Sequence, residues 1–142
     1  MSNPQFNLQV DGQPDKFLSG YQTAQNSNLA VIQDPGLKAL YEQQGSTINQ
    51  VIGSQVYLRA TTKNNDTTKN IGQLYFTASG NEAYFDFDVN GYLRHNGSPD
   101  VFFVGPITVD GVEVQGVYLQ LDNSQPVDSD GLQAIRLQQI LT

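Results

Sequence analysis

The feature that most constrains the fold of this chain is an alternation of apolar and polar side chains with a period of two residues. In residues 54–61, SQVYLRAT, the alternate positions Val56, Leu58 and Ala60 are apolar, and residues 72–78 repeat the pattern. Because successive side chains of a β-strand point to opposite faces, this period predicts strands with one buried face. Similar runs occur at 28–33 (NLAVIQ), 101–109 (VFFVGPITV), 112–121 (VEVQGVYLQL) and 133–141 (QAIRLQQIL).

Turn-forming residues separate these runs. Asp110-Gly111 lies between two alternating apolar segments, which is a strong hairpin signal. Strands at short, regular spacing with such turns are typical of antiparallel sandwiches, and not of alternating βαβ proteins. We therefore expect an all-β, mainly antiparallel protein with a β-sandwich or jelly-roll-like domain over residues 46–142. Residues 1–45 are expected to form an N-terminal extension, packed on that domain or swapped between subunits.

One segment favours a helix. Residues 35–44 are predicted to form a single short helix near the start of the chain. Asp34 fits the N-cap, Pro35 fits the first helical position, and Gly45 lies where a glycine would end the helix. Three apolar side chains would then share one face of it, at Leu37, Leu40 and Tyr41.

The composition describes a polar surface with few charges. Of the 142 residues, 17 are Gln and 12 are Asn, whereas only 15% are charged, below the roughly 25% of an average soluble protein. Neutral amides suit proteins that pack against copies of themselves, and they also suit proteins that hydrogen-bond uncharged ligands such as sugars. Both a homo-oligomer or larger protein assembly and a glycan are therefore expected as candidate partners.

The same composition argues against several other classes. The formal net charge is −7, with only seven Lys and Arg, so a nucleic-acid partner is not expected. There is no cysteine, which rules out disulfides and zinc–thiolate sites. No apolar run approaches the roughly 20 residues of a membrane span, so membrane insertion is not expected. The first residues lack the basic and apolar regions of a Sec-type signal peptide, and location in a virion or another extracellular particle is the working hypothesis.

Residues 84–91, YFDFDVNG, raise the possibility of a calcium loop. Asp86 and Asp88, with the Asn-Gly that follows, match the first half of an EF-hand loop. The twelfth position should supply a bidentate Glu, but it is Gly97, and the ninth position is the cation Arg94. The EF-hand interpretation therefore fails.

A strand that runs into a turn explains this segment better. Phe85, Phe87 and Val89 would face the core, and the aspartates between them would face water. Because β-sandwich lectins often gather calcium from several loops, Asp86 and Asp88 remain metal candidates if they meet a second acidic segment further along the chain. That segment contains Asp122, Asn123, Asp128 and Asp130, and its metal candidates are Asp128 and Asp130.

The sequence contains no recognisable catalytic set. A hydrolytic triad needs a base, and the only histidine is His95, within the turn-rich stretch RHNGSPD. His95 is expected to be a solvated or structurally hydrogen-bonded turn residue. No phosphate-cradling glycine loop is present. We therefore expect a protein that is not an enzyme and that needs no cofactor.

Two functions from different classes remain. The first is a non-enzymatic structural or attachment protein that assembles into a virion-type particle, as phage decoration, baseplate or fibre proteins do. The second is a small lectin-like carbohydrate-binding module, with or without calcium, in which exposed tyrosines stack on sugar rings. Tyrosines expected on the exposed faces of strands and turns are Tyr57, Tyr75, Tyr84, Tyr92 and Tyr118.

Overall fold

The computed structural model describes residues 3–64 and 66–142; Met1 and Ser2, at the start of the predicted N-terminal extension, lie outside the described residues, as does Asn65. The described chain consists of antiparallel strands joined by turns, with one short 3-10 turn at Pro35–Leu37. The prediction of an all-β, mainly antiparallel fold is therefore confirmed. The strands are β1 (Gln5–Val10), β2 (Phe17–Ala24), β3 (Ser27–Gln33), β4 (Leu40–Gln44), β5 (Thr47–Gly53), β6 (Val56–Lys63), β7 (Gly72–Thr77), β8 (Phe85–Phe87), β9 (Leu93–His95), β10 (Phe102–Val109), β11 (Val112–Leu119), β12 (Gln133–Ile135) and β13 (Leu137–Leu141).

Most strands belong to one sheet that closes on itself. The order β11-β3-β2-β1-β4-β5-β6-β7 returns to its start, because β7 also pairs with β3 and β11. This closure makes an eight-stranded barrel and not a clear sandwich or jelly roll of two stacked sheets. A period of two predicts which side chains of a strand are buried, but it carries no information on which strands become neighbours. The expected sandwich and the observed barrel therefore have the same sequence pattern.

The strands of residues 1–45 lie within this sheet. Strand β1 pairs with β13 over five residue pairs, from Phe6 opposite Leu141 to Val10 opposite Leu137. On its other side β1 pairs with β2 and β4. The segment predicted as an N-terminal extension therefore packs directly on residues 46–142.

The predicted helix over residues 35–44 is wrong. Only Pro35–Leu37 forms a 3-10 turn, and Leu40–Gln44 is strand β4, paired with β1 and β5. Tyr41 is completely buried in the barrel, a position that it reaches from a strand. Gly45, with φ of 63°, begins the tight turn of the β4–β5 hairpin and does not end a helix. The helix pattern is local and has no side-chain cap at Asp34. Pairing on both edges of Leu40–Gln44 therefore outweighs it.

The barrel interior is the main hydrophobic core. Apolar side chains that alternate along the strands point inward and are almost completely buried, and the ring centroids of Tyr41 and Phe76 lie 5.3 Å apart. The β8–β9 hairpin forms a separate two-stranded sheet that packs against this core. Its Phe87 meets Phe6 edge to face, with the ring centroids 5.2 Å apart. The prediction of an inward Val89 is wrong, because β8 ends at Phe87 and Val89 is fully exposed in the following turn.

A second apolar cluster covers part of the outer face of the barrel. Leu29, Val31 and Tyr75 are buried there, beneath side chains from the β10–β11 hairpin. Within the hairpin, Ile107 of β10 lies directly over Gly116 of β11, where a Cβ atom would lie only 2.1 Å from Ile107 Cδ1. The absence of a side chain at residue 116 therefore gives Ile107 the space that it occupies in this cluster.

Candidate functional site

A cleft on the outer face of the barrel collects more of the predicted candidate residues than any other place in the described chain. It lies where β7 and β11 pair, between the loop that follows β6 and the loop that precedes β12. The cleft encloses about 220 Å³. Three residues singled out from the sequence line it together: Tyr118, Asp128 and Asp130. Its other lining residues are Lys63, Asn64, Asp66, Lys69, Ile71, Gln73 and Leu132.

Two tyrosines and a glutamine form the floor of the cleft and its margin. Tyr118 lies opposite Gln73 on neighbouring strands. Burial raises the pKa of Tyr118, and a hydrogen bond with Gln73 partly offsets this shift. The Tyr75 hydroxyl donates to Gln73 Oε1 at 3.4 Å, and burial, with a smaller effect of Tyr118, raises the pKa of Tyr75. Both phenols therefore remain neutral at physiological pH, and Tyr118 is the one that lines the cleft.

The rim of the cleft carries charges of both signs. Lys63 and Lys69 face Asp66, Asp128 and Asp130 around one opening. None of the ion pairs in residues 3–64 and 66–142 joins two of these five side chains. The Lys63 ammonium instead lies 4.2 Å from the centroid of the Tyr75 ring, within cation–π range. The rim therefore offers donors and acceptors that are not joined to one another as ion pairs in the described chain.

A single asparagine holds the two loops of this cleft together. The Asn70 backbone N–H donates to Asp128 Oδ2 at 2.7 Å, which fixes that carboxylate at the rim. The Asn70 side-chain amide donates to Asp122 O at 2.8 Å and to two further carbonyls of the same loop, and its Oδ1 accepts from the Asp122 N–H at 2.7 Å. Asn70 and Asp128 are 58 positions apart in the sequence. The cleft is therefore a product of long-range contacts.

The structure does not bring the two predicted acidic segments together. Both oxygens of Asp86 bind Arg94 at 2.8 Å, and Asp88 Oδ1 accepts from the backbone N–H groups of Asn90 and Tyr92. These carboxylates therefore hold the β8–β9 hairpin in shape. Within the described part of the chain, no three acidic or histidine side chains are grouped as a metal ion would require.

The tyrosines predicted to be exposed differ in their solvent exposure and in their contacts. Tyr75 is only 9% exposed, so its expected exposure is wrong; it faces the outer apolar cluster, which the alternation within one strand could not reveal. The Tyr92 hydroxyl donates to Asp11 at 3.1 Å, and Arg136 lies over its ring. Tyr57 is half-buried beside Glu42, and its pKa is raised by desolvation and then by that carboxylate. Tyr84 is 71% exposed and lies outside the cleft.

His95 is buried and not solvated. Its side chain is 1% exposed, its ring lies 4.7 Å from that of Phe85, and its Nε2 lies 3.0 Å from Glu82 Oε1 without hydrogen-bond geometry. The histidine is the last residue of β9, opposite Phe85 in the β8–β9 hairpin, and its carbonyl accepts from Asn123 Nδ2 at 3.0 Å. This environment describes a structural residue that links the hairpin to the loop after β11.

Sequence reasoning missed most residues of the cleft and the asparagine that holds its loops. The polar ones used above belong to a polar loop and to the outward face of a strand, with no motif to mark them: Lys63, Lys69, Asn70 and Gln73. The only available signal was the density of polar side chains in TTKNNDTTKN at 61–70. That signal predicts a loop but not what the loop faces.

Comparisons with protein-family models, with curated proteins and with solved structures found no match for this chain. Among the residues that the structure describes, there is no helix with the length and apolar character needed to cross a lipid bilayer.

Proposed function

We propose that this protein is a non-enzymatic carbohydrate-binding protein and that the cleft is its glycan site. Two functions are expected from the sequence, a lectin-like module and an assembly protein, and the cleft favours the first. The observation that carries the proposal is the meeting of Tyr118, Asp128 and Asp130 with Lys63 and Lys69 in one cleft. The two lysines lie far from the other three residues in the sequence, and no ion pair of the described chain joins them to Asp128 or Asp130.

The chemistry of the lining matches that of a sugar. A pyranose has apolar C–H faces and a ring of hydroxyls that both donate and accept hydrogen bonds. Tyr118, Ile71 and Leu132 supply an apolar surface, Asp128 and Asp130 supply acceptors, and the lysines supply donors. At about 220 Å³ the cleft is smaller than the roughly 300–1,000 Å³ of pockets for drug-sized ligands. This size suits one or two sugar rings at the end of a chain.

A glycan array tests this proposal directly. The wild-type protein is expected to bind a limited set of glycans, and Tyr118→Ala and Asp130→Asn are expected to weaken that binding. Tyr57→Ala, a tyrosine outside the cleft, serves as the matched control and should bind as the wild type does. A parallel array in EDTA shows whether calcium assists. An array with no glycan bound, or cleft variants that bind like Tyr57→Ala, would contradict the proposal.

A second candidate is an assembly protein of a virion-type particle, as a decoration, baseplate or fibre component. It is supported by apolar side chains exposed at one strand connection: Ile52 is 44% and Val56 is 50% exposed at the β5–β6 hairpin. In a protein with only 15% charged residues, such a surface suits contact with another subunit or protein. Light scattering after size exclusion should then show an oligomer that Ile52→Gln with Val56→Gln dissociates. A monomer at every concentration would contradict self-assembly.

A further inference from the structure

Tyr84 combines an unfavourable backbone conformation with an exposed aromatic ring. Its φ is 69°, in the left-handed region where a bulky side chain is rare. Its side chain is 71% exposed, so packing of the ring does not compensate for the strain. The other non-glycine residues with positive φ are two asparagines, an aspartate and a glutamine: Asn26, Asn96, Asp110 and Gln55. Tyr84 is therefore the one bulky aromatic residue held in this way in the described chain.

The neighbouring structure fixes the backbone on both sides of Tyr84. The Tyr84 carbonyl accepts from the Asn96 N–H at 3.0 Å, and the next N–H, of Phe85, donates to Ser46 O at 2.9 Å. Phe85 itself is 2% exposed and is paired with His95. These contacts require the backbone conformation but not a tyrosine. Glycine would satisfy the same φ without strain, so the fold alone does not account for the aromatic ring.

The ring borders a groove of about 410 Å³. Gln43 and Ser46 from the β4–β5 hairpin form one side, and Asp86 and Asn96 from the β8–β9 hairpin form the other. Gln43 is held in place by donating from Nε2 to the Phe85 carbonyl at 3.1 Å. Asp86 is held by Arg94. The groove thus places amide, hydroxyl and carboxylate groups beside an exposed aromatic ring, and it shares no residue with the cleft.

We propose that the Tyr84 groove is a second carbohydrate-binding site, in which a pyranose ring stacks on Tyr84 and its hydroxyls bond with Gln43, Ser46 and Asn96. An aromatic platform with polar groups at its edge provides the two kinds of contact that a sugar ring needs. The proposal shares its ligand class with the cleft but does not rest on it, since the two sites have separate residues. Two sites on one chain would strengthen attachment to a glycan-covered surface through multivalency.

The test is an NMR titration of protein with ¹³C-labelled tyrosine rings and a ¹⁵N-labelled backbone, using glucose, galactose, mannose and N-acetylglucosamine as separate probes. At least one sugar is expected to shift the Tyr84 ring signals and the backbone amide signals of Ser46 and Asn96 saturably. Tyr84→Gly should lose the shifts of these two amides while its thermal midpoint stays equal to or above that of the wild type, because glycine relieves the strain. Gln55→Gly relieves a similar strain, φ of 57° in an exposed turn, and is the matched control that should keep the sugar response.

The possible outcomes separate the two sites. Shifts at Tyr118 alone would overturn the second site and leave the cleft proposal standing. Shifts at Tyr84 alone would support the second site and contradict the cleft. If no probe shifts either ring, or if Tyr84→Gly responds like the wild type, the second site is overturned. A Tyr84→Gly protein that is destabilised would show that the ring has a structural role, and it would likewise overturn the proposal.

Discussion

The replacement of Asn70 by Asp is expected to separate the loops that form the cleft. The Asn70 amide nitrogen faces three carbonyl oxygens, and Oδ1 accepts from the Asp122 N–H, so the network defines which end of the amide donates. Asn70→Asp keeps the acceptor and loses the donor. It also places a negative charge against three carbonyls and near Asp128, whose carboxylate binds the backbone N–H of residue 70.

The size of the effect follows from the bonds that are lost. An NH₂ group has two hydrogens, so at most two full bonds to the three carbonyls are made at one time. A net value of about 0.5–1.5 kcal/mol for each bond, plus repulsion in a partly exposed loop, gives a loss of about 2–3 kcal/mol. For a chain of this length, a loss of that size lowers the melting temperature by roughly 6–12 °C.

Urea denaturation followed by circular dichroism measures this loss. Asn90→Asp is the matched control, because it adds the same charge at an exposed turn position with no side-chain hydrogen bond in the described network. The deficit of Asn70→Asp should shrink at low pH, since a carboxyl that is disfavoured in the folded state has a raised pKa and destabilises only where it is ionised. If Asn70→Asp is no less stable than Asn90→Asp at neutral pH, Asn70 does not hold the loops together.

Three further predictions concern the core and the loops. Gly116→Ala should lower the free energy of unfolding by about 1–3 kcal/mol through overpacking. Gly36→Ala, where a Cβ atom meets nothing within 4 Å, should leave it unchanged. Equal urea midpoints for the two variants would contradict the close packing of the β10–β11 hairpin. Hydrogen bonds from the Ser124 hydroxyl and N–H lower the pKa of Asp122. A carboxyl group with a lowered pKa contributes stability that is lost as the pH falls through that pKa. Ser124→Ala should therefore raise the pKa of Asp122 in an NMR titration, and an unchanged pKa would count against a role of the hydroxyl. Burial raises the pKa of Tyr41, so the folded state favours the neutral phenol. This contribution to stability is complete below the unfolded pKa of about 10 and is lost as the pH rises above it. Tyr41→Phe should therefore unfold at a higher alkaline pH than the wild type, and a lower pH midpoint of unfolding would refute this.

Two segments with clear local signals, Asp110-Gly111 and residues 35–44, show when a local pattern predicts the structure. Asp110 and Gly111 both adopt positive φ at the tip of the β10–β11 hairpin, as the Asp-Gly signal predicts. Residues 35–44 carry an equally clear helix signal and form a strand. The difference is that the Asp-Gly signal depends on the conformational preferences of those two residues alone. The fate of Leu40–Gln44 depends on β1 and β5, which occupy both of its edges.

The amino-acid sequence by itself determined the strand content, most of the inward-facing side chains and the tight turns, because these follow from the period of two and from which residues tolerate positive φ. Only the tertiary structure decided that the sheet closes on itself and that Tyr75 is buried on its outer face. It also decided that Lys63 and Asp128 line the same cleft. Each of these outcomes depends on contacts between segments far apart in the chain, and such contacts arise from the choice of strand neighbours, which a local pattern leaves open.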